Sequence, residues 1–125
     1  MATVLFIDES HLARTTARLT LRRAGHEVIE AADGQAGLES IARDRPDCVV
    51  MNLSAPVLDA QGLLRRLRSD AGAPPVIVLA SIPRRTTIEE CRKLGAAAVL
   101  ERGFDADQVA ACVGRVLSGG YSAAA

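Results

Sequence analysis

Five short apolar runs, spaced by stretches long enough for one helix each, constrain this chain more than any other feature. They are residues 4–7 (VLFI), 27–31 (EVIEA), 47–53 (DCVVMNL), 75–79 (PVIVL) and 97–100 (AAVL). Runs this short suit strands buried on both faces. Helix punctuation fills the intervals. Ser10 reads as an N-cap, Leu12, Thr16, Leu19 and Arg23 then trace one stripe, and Gly25 supplies the stop. Asp33 opens a second helix carrying Leu38 and Ile41, with Pro46 just beyond its end. A third holds Leu63, Leu64 and Leu67. Thr87 with Glu90 offers a capping box for a fourth, which stops at Leu94 and Gly95. Asp105 with Gln108 starts a fifth carrying Val109, Val113, Val116 and Leu117. Strand and helix alternate throughout, which calls for an α/β fold whose parallel sheet is covered on both sides.

A chain of 125 residues fits one such domain with a sizeable core. The domain is expected over residues 1–118, with 119–125 (GGYSAAA) a flexible tail or the start of a linker. No apolar run approaches the ~20 residues that span a bilayer. The opening MATVLFIDES lacks the basic start and long apolar stretch of a signal peptide, so a cytoplasmic location is expected. Fifteen basic and fifteen acidic residues leave no net charge to favour nucleic acid or an anionic membrane. Aromatic residues make up 2 % of the chain, which argues against base-stacking surfaces. Cys48, Cys91 and Cys112 fall on three separate elements without CxxC spacing, and read as small buried hydrophobes.

Open α/β sheets place their chemistry outside the carboxyl ends of the strands. Here those ends carry Asp8 and Glu9, then Asn52, then Ala80 and Ser81, then Arg102 and Gly103. An asparagine amide donates and accepts hydrogen bonds, but it is uncharged and a poor nucleophile. With these positions lined up, the chain resembles the receiver domain of bacterial two-component response regulators. The resemblance runs from Val4 to Leu117 and rests on LFIDES, AGHEVIEAADGQAGLE, RPDCVV, PVLDAQGLLRRLR, PPVIVLAS and KLGAAAVLERGFDADQV. It implies a flavodoxin-like (βα)5 doubly wound sandwich, a five-stranded parallel sheet in the order 2-1-3-4-5.

The resemblance also implies a site. In that family an acidic pair after the first strand helps hold Mg²⁺, and an aspartate after the third accepts the phosphoryl group. A Thr or Ser after the fourth strand and a Lys after the fifth bind the phosphoryl oxygens. Carboxylates are hard ligands for Mg²⁺, an aspartate can form an acyl phosphate, and the hydroxyl, ammonium and metal stabilise the moving charge. Asp8 and Glu9 match the acidic pair. Asn52 takes the acceptor position, with Pro56 and Asp59 keeping the following loop in register. Ala80 takes the hydroxyl position, Arg102 that of the lysine, and Gly103 that of the proline after it. Val99 takes the position of an aromatic switch residue. Adjacent strand residues point to opposite faces, so Ser81 does not replace the missing hydroxyl without a one-residue shift.

The expectation is therefore a degenerate receiver, a pseudo-receiver without enzymatic activity that acts as a phosphorylation-independent protein-interaction module. Asp8 and Glu9 are the only candidate metal ligands, and without a third carboxylate an Arg102 ion pair is expected there in place of Mg²⁺. The Asn52 amide is expected to bond to one of the two acids. His11 reads as a surface residue of the first helical turn, and His26 needs no role. Arg65, Arg66, Arg68, Arg84 and Arg85 read as solvated faces. Ala97, Ala98 and Val99 give the face formed by the fourth helix, fifth strand and fifth helix an apolar centre, either sheet packing or a docking patch. A protein partner in a signalling pathway is expected, with no nucleic acid or membrane and a monomeric or weakly dimeric state. Two other readings stay open: a phosphorelay receiver using Glu9 or Asp59 as acceptor, and a small flavodoxin-like cofactor binder. The second has no Gly-rich phosphate loop after the first strand to support it.

Overall fold

A computed structural model of the chain describes residues 2–82, 84–101 and 103–119. Ten elements alternate along it: β1 (Thr3–Ile7), α1 (His11–Arg23), β2 (Glu27–Ala31), α2 (Gly34–Asp44), β3 (Cys48–Asn52), α3 (Ala60–Leu67), β4 (Val76–Ala80), α4 (Arg85–Lys93), β5 (Ala98–Glu101) and α5 (Ala106–Leu117). All strand pairs are parallel, and the sheet order is β2-β1-β3-β4-β5. Each strand lies within about one residue of its expected run.

Strand alternation divides the core into two layers. Leu5, Ile7, Val49, Met51, Val76, Val78 and Ala80 face α2, α3 and α4, where they meet Ile41, Leu63, Leu64, Ile88 and Cys91. Val4, Phe6, Cys48, Val50, Ile77 and Leu79 face α1 and α5, where they meet Leu21, Val109, Val113 and Val116. The central strands β3 and β4 are buried almost throughout, as apolar runs covered on both sides must be. Close approach of α2 depends on glycine: a Cβ on Gly34 would overlap the Leu58 carbonyl, and one on Gly37 would overlap the Ile7 side chain.

Two expectations fail. Leu12 and Leu19 of α1 are 75 % and 51 % exposed, whereas Ala17 and Leu21 are buried and Ala13 packs beside them. The buried stripe is thus the one with small residues at i and i+4. Alanines let α1 lie close to the sheet and to α5, and that packing decides the face over the larger leucines. The second concerns α4, which starts at Arg85 with Arg84 as N-cap and no side-chain cap bond. Thr87 sits inside its first turn, because burying Ile88 and Cys91 against β4 sets the register of a short helix without help from a capping box. The other caps form as expected. Ser10 and Asp33 accept from the backbone N–H of Ala13 and Ala36, and Asp105 and Gln108 make a reciprocal capping box.

Candidate functional site

Parallel register brings the carboxyl ends of β1 and β3 together. Ile7 pairs with Met51, so Asp8 and Asn52 are the next residues out on neighbouring strands. Asn52 also pairs with Leu79, which places Ala80 one step beyond it on β4. Four of the five expected site residues therefore meet at one end of the sheet. Arg102 lies outside the described residues.

The amide of Asn52 faces the acidic pair. Its Nδ2 donates to Glu9 Oε1 at 3.4 Å, while its Oδ1 accepts the Ser54 backbone N–H at 3.5 Å. Asp8 is only 9 % exposed, and its Oδ1 accepts the Ser10 backbone N–H at 2.9 Å. Burial holds the Asp8 carboxyl above its ordinary pKa, the Ser10 bond opposes that, neighbouring Glu9 adds to it, and Arg14 opposes it weakly. Arg14 is committed elsewhere. Its Nη1 donates to the Asp8 backbone carbonyl at 2.7 Å, and its Nε pairs with Glu30 at 3.3 Å. Arg18 holds the same Glu30 at 2.5 Å. Among the described residues, no salt bridge reaches Asp8 or Glu9.

The donor set is a poor fit to Mg²⁺. That ion prefers near-octahedral oxygen, and Asn52 turns an N–H, not an oxygen, toward Glu9. Among the described residues, no group of three or more His, Cys, Asp or Glu is placed to hold a metal ion.

The β4 side is apolar at this end of the sheet. Ala80 is fully buried in the layer with Val78, Ile88 and Cys91, and Ser81 is exposed and belongs to the opposite layer beside Asp8. Gly103 has φ +103°, a conformation that glycine adopts readily. Asp59, the other alternative acceptor, is the N-cap of α3 and accepts the Gly62 N–H at 2.9 Å. Val57, in the loop after β3, is 80 % exposed with φ 69°, a strained conformation for a β-branched residue.

Of the expected interaction face, Ala97 is buried at 8 % exposure in the α1/α5 layer, and Ala98 and Val99 are half-buried against opposite layers. Ala97 is therefore a packing residue. All three cysteines are free and buried, and burial pushes the Cys48 thiol up to about 12 and the Cys91 thiol up to about 11, far from a reactive thiolate. His11 is exposed and His26 half-buried. Arg65 pairs with Glu90 on the outer surface of α3 and α4. Among the described residues, no helix is long and apolar enough to cross a membrane. Absent from the sequence reading was a cleft of about 270 Å³ between α1 and α5, lined in part by Phe6, Asp8, Ser81 and Phe104. A signal for it was available, since the chain holds only two phenylalanines and both line it.

Five parallel strands in the order 2-1-3-4-5, two helices on one face and three on the other, with acidic residues at the end of β1, define a flavodoxin-like receiver fold. The chain belongs to the response regulator receiver domain family, which matches residues 4–113. It is 33 % identical over 114 residues to the transcriptional regulatory protein CseB of Streptomyces coelicolor, covering 91 % of this chain and 48 % of that protein. The chain thus spans about half the length of that relative. It is 25 % identical over 114 residues to the sporulation initiation phosphotransferase F of Bacillus subtilis, covering 91 % of this chain and 92 % of that protein. The receiver domain of the Francisella response regulator 1452 superposes with a TM-score of 0.87 at 24 % identity, over 96 % of this chain and 99 % of that one. The chain is thus a receiver domain of bacterial two-component signalling.

Proposed function

We propose that this receiver domain transmits its signal by binding a protein partner, without aspartyl phosphorylation. The observation that carries the reading is Asn52 at the end of β3, its amide nitrogen bonded to Glu9. An amide nitrogen does not attack phosphorus to give an acyl phosphate. The burial of Ala80 supports the same reading, since no hydroxyl there meets a phosphoryl oxygen. The alternative acceptors are already engaged, Glu9 by Asn52 and Asp59 by its helix cap.

In this reading Asn52 ties the loops after β1 and β3 into one fixed shape. An aspartate there would repel Glu9, whereas the amide donates to it. Repulsion between Asp8 and Glu9 remains for a cation to offset, and Arg102, the cation expected there, lies outside the described residues.

Docking is supported by exposed apolar side chains around the same end of the sheet. Leu12, Val57 and Ile82, which follow β1, β3 and β4, are 75 %, 80 % and 71 % exposed. Exposed apolar side chains after three strands that end on the same side favour a protein partner with an apolar contact surface.

Titration with beryllium fluoride and Mg²⁺, followed by amide NMR, tests the reading. No saturable shift is expected at the residues flanking Asn52. A full shift of the kind produced by a bound phosphoryl mimic, with slow or saturable exchange at Asp8, Asn52 and Ala80, would contradict it.

A further inference from the structure

The cleft between α1 and α5 has a chemistry of its own. Its walls are Phe6 from β1, Leu79 from β4, Ala13 and Ala17 from α1, and Phe104 and Val109 at α5. The small side chains of α1, the same ones that bury its alanine stripe, leave the space open. Asp8 lines the cleft too, 9 % exposed, with only the Ser10 N–H donating to its carboxylate among the described residues. A second acid, Asp105, and the hydroxyls of Thr16 and Ser81 line the same cleft, and no described basic residue does.

We propose that this cleft binds a small ammonium compound with one aromatic or compact apolar body. Two carboxylates, with no basic residue among the described lining, repel an anion. A neutral apolar guest would strip water from Asp8 and give nothing in return. An ammonium group offsets that loss by a charge-assisted hydrogen bond to the carboxylate, while the apolar lining takes up the body of the guest. The volume of about 270 Å³ sits at the small end for ligand clefts, so the guest is a single ring with a short aminoalkyl arm, not a nucleotide. This inference is independent of how Asn52 behaves toward phosphodonors.

Phenethylamine, 2-phenylethanol and 3-phenylpropionate share one ring and differ in charge, so amide NMR titrations with the three provide the test. The amine is expected to give saturable shifts at Ala13, Ala17, Phe104 and Ala106. The alcohol should bind at least about tenfold more weakly, and the carboxylate not at all. Asp8→Asn should weaken the amine by about tenfold or more. Asp105→Asn keeps a capable N-cap and should weaken it less. Ala13→Leu fills the cleft without touching charge and should abolish binding while amide dispersion is retained. The proposal is overturned by the absence of saturable shifts with the amine, by equal binding of the alcohol, or by amine binding unchanged in both Asp8→Asn and Ala13→Leu.

Discussion

The two halves of the strand-end site differ in polarity. The β1–β3 half is polar and connected: Asp8 is held by the Ser10 backbone, and Glu9 by the Asn52 amide. The β4 half is apolar: Ala80 is fully buried beneath α4, and Ser81 belongs to the opposite layer. Hydrogen bonds between loops are useful to any domain that must present a fixed surface. A hydroxyl at the fully buried Ala80 position would need a partner of its own among apolar neighbours. The contrast teaches that one end of a parallel sheet can join its loops through polar contacts on one side and close as apolar core on the other.

The largest effect should come from forcing polarity back into the apolar half. Ala80→Thr places a hydroxyl and an extra methyl at a fully buried position, and urea unfolding should show a loss of about 1–3 kcal/mol. An unchanged or raised stability would mean that the β4 end still accommodates a polar group, and the contrast between the halves would dissolve.

Asn52→Asp attacks the polar half. It removes the donor to Glu9 and adds a third carboxylate beside Asp8, so a loss of roughly 1 kcal/mol is expected. Millimolar Mg²⁺ should recover part of it, because the new oxygen anion completes a hard-ligand set. Phosphorylation should stay slow, since Ala80 and Arg102 are unchanged. Rapid Mg²⁺-dependent phosphorylation of this single variant would show that one residue alone had silenced the site.

Val57→Gly sharpens the picture of the loop after β3. A left-handed valine costs about 1–2 kcal/mol, and glycine returns about half of that gain as backbone entropy. Thermal or denaturant unfolding should therefore report a modest stabilisation of about 0.5–1 kcal/mol. A loss would mean that the exposed Val57 side chain makes contacts that outweigh its strain.

The smallest effect is a pH dependence at Asp8. Its carboxyl titrates above the ordinary value because it is buried, so the native chain takes up a proton there more readily than the unfolded chain. Ionised Asp8 thus costs stability at neutral pH, and the cost is relieved as pH falls through the raised value. Asp8→Asn lacks that titration. Its stability relative to the parent should decline from neutral to mildly acidic pH, measured by paired denaturant midpoints. A difference that grows on acidification would give Asp8 a depressed pKa and a cation partner stronger than its burial.

The element order was legible because each strand is a short apolar run bounded by helix caps, as Ser10, Asp33 and Asp105 show. The buried face of α1 was not, because apolar periodicity weighs Leu12 and Leu19 above Ala13 and Ala17, whereas close helix packing selects the small residues. The start of α4 was missed for a related reason: tertiary burial of Ile88 and Cys91 sets its register, not the local Thr87 and Glu90 signal. Motif positions placed Asp8, Glu9, Asn52 and Ala80 together, since parallel register brings strand ends to one line. The burial of Ala97 and the cleft beside Asp8 depend on how α5 seats against α1 and β5, contacts that lie far apart along the chain.

Intact-mass measurement of the native chain, after incubation with acetyl phosphate and Mg²⁺, tests the central claim most directly. With an amide at position 52 and no hydroxyl at Ala80, the mass should remain that of the unmodified protein at every time point. A stoichiometric, base-labile and hydroxylamine-sensitive phosphoryl gain would prove that a carboxylate of this domain accepts the group, and would contradict the account.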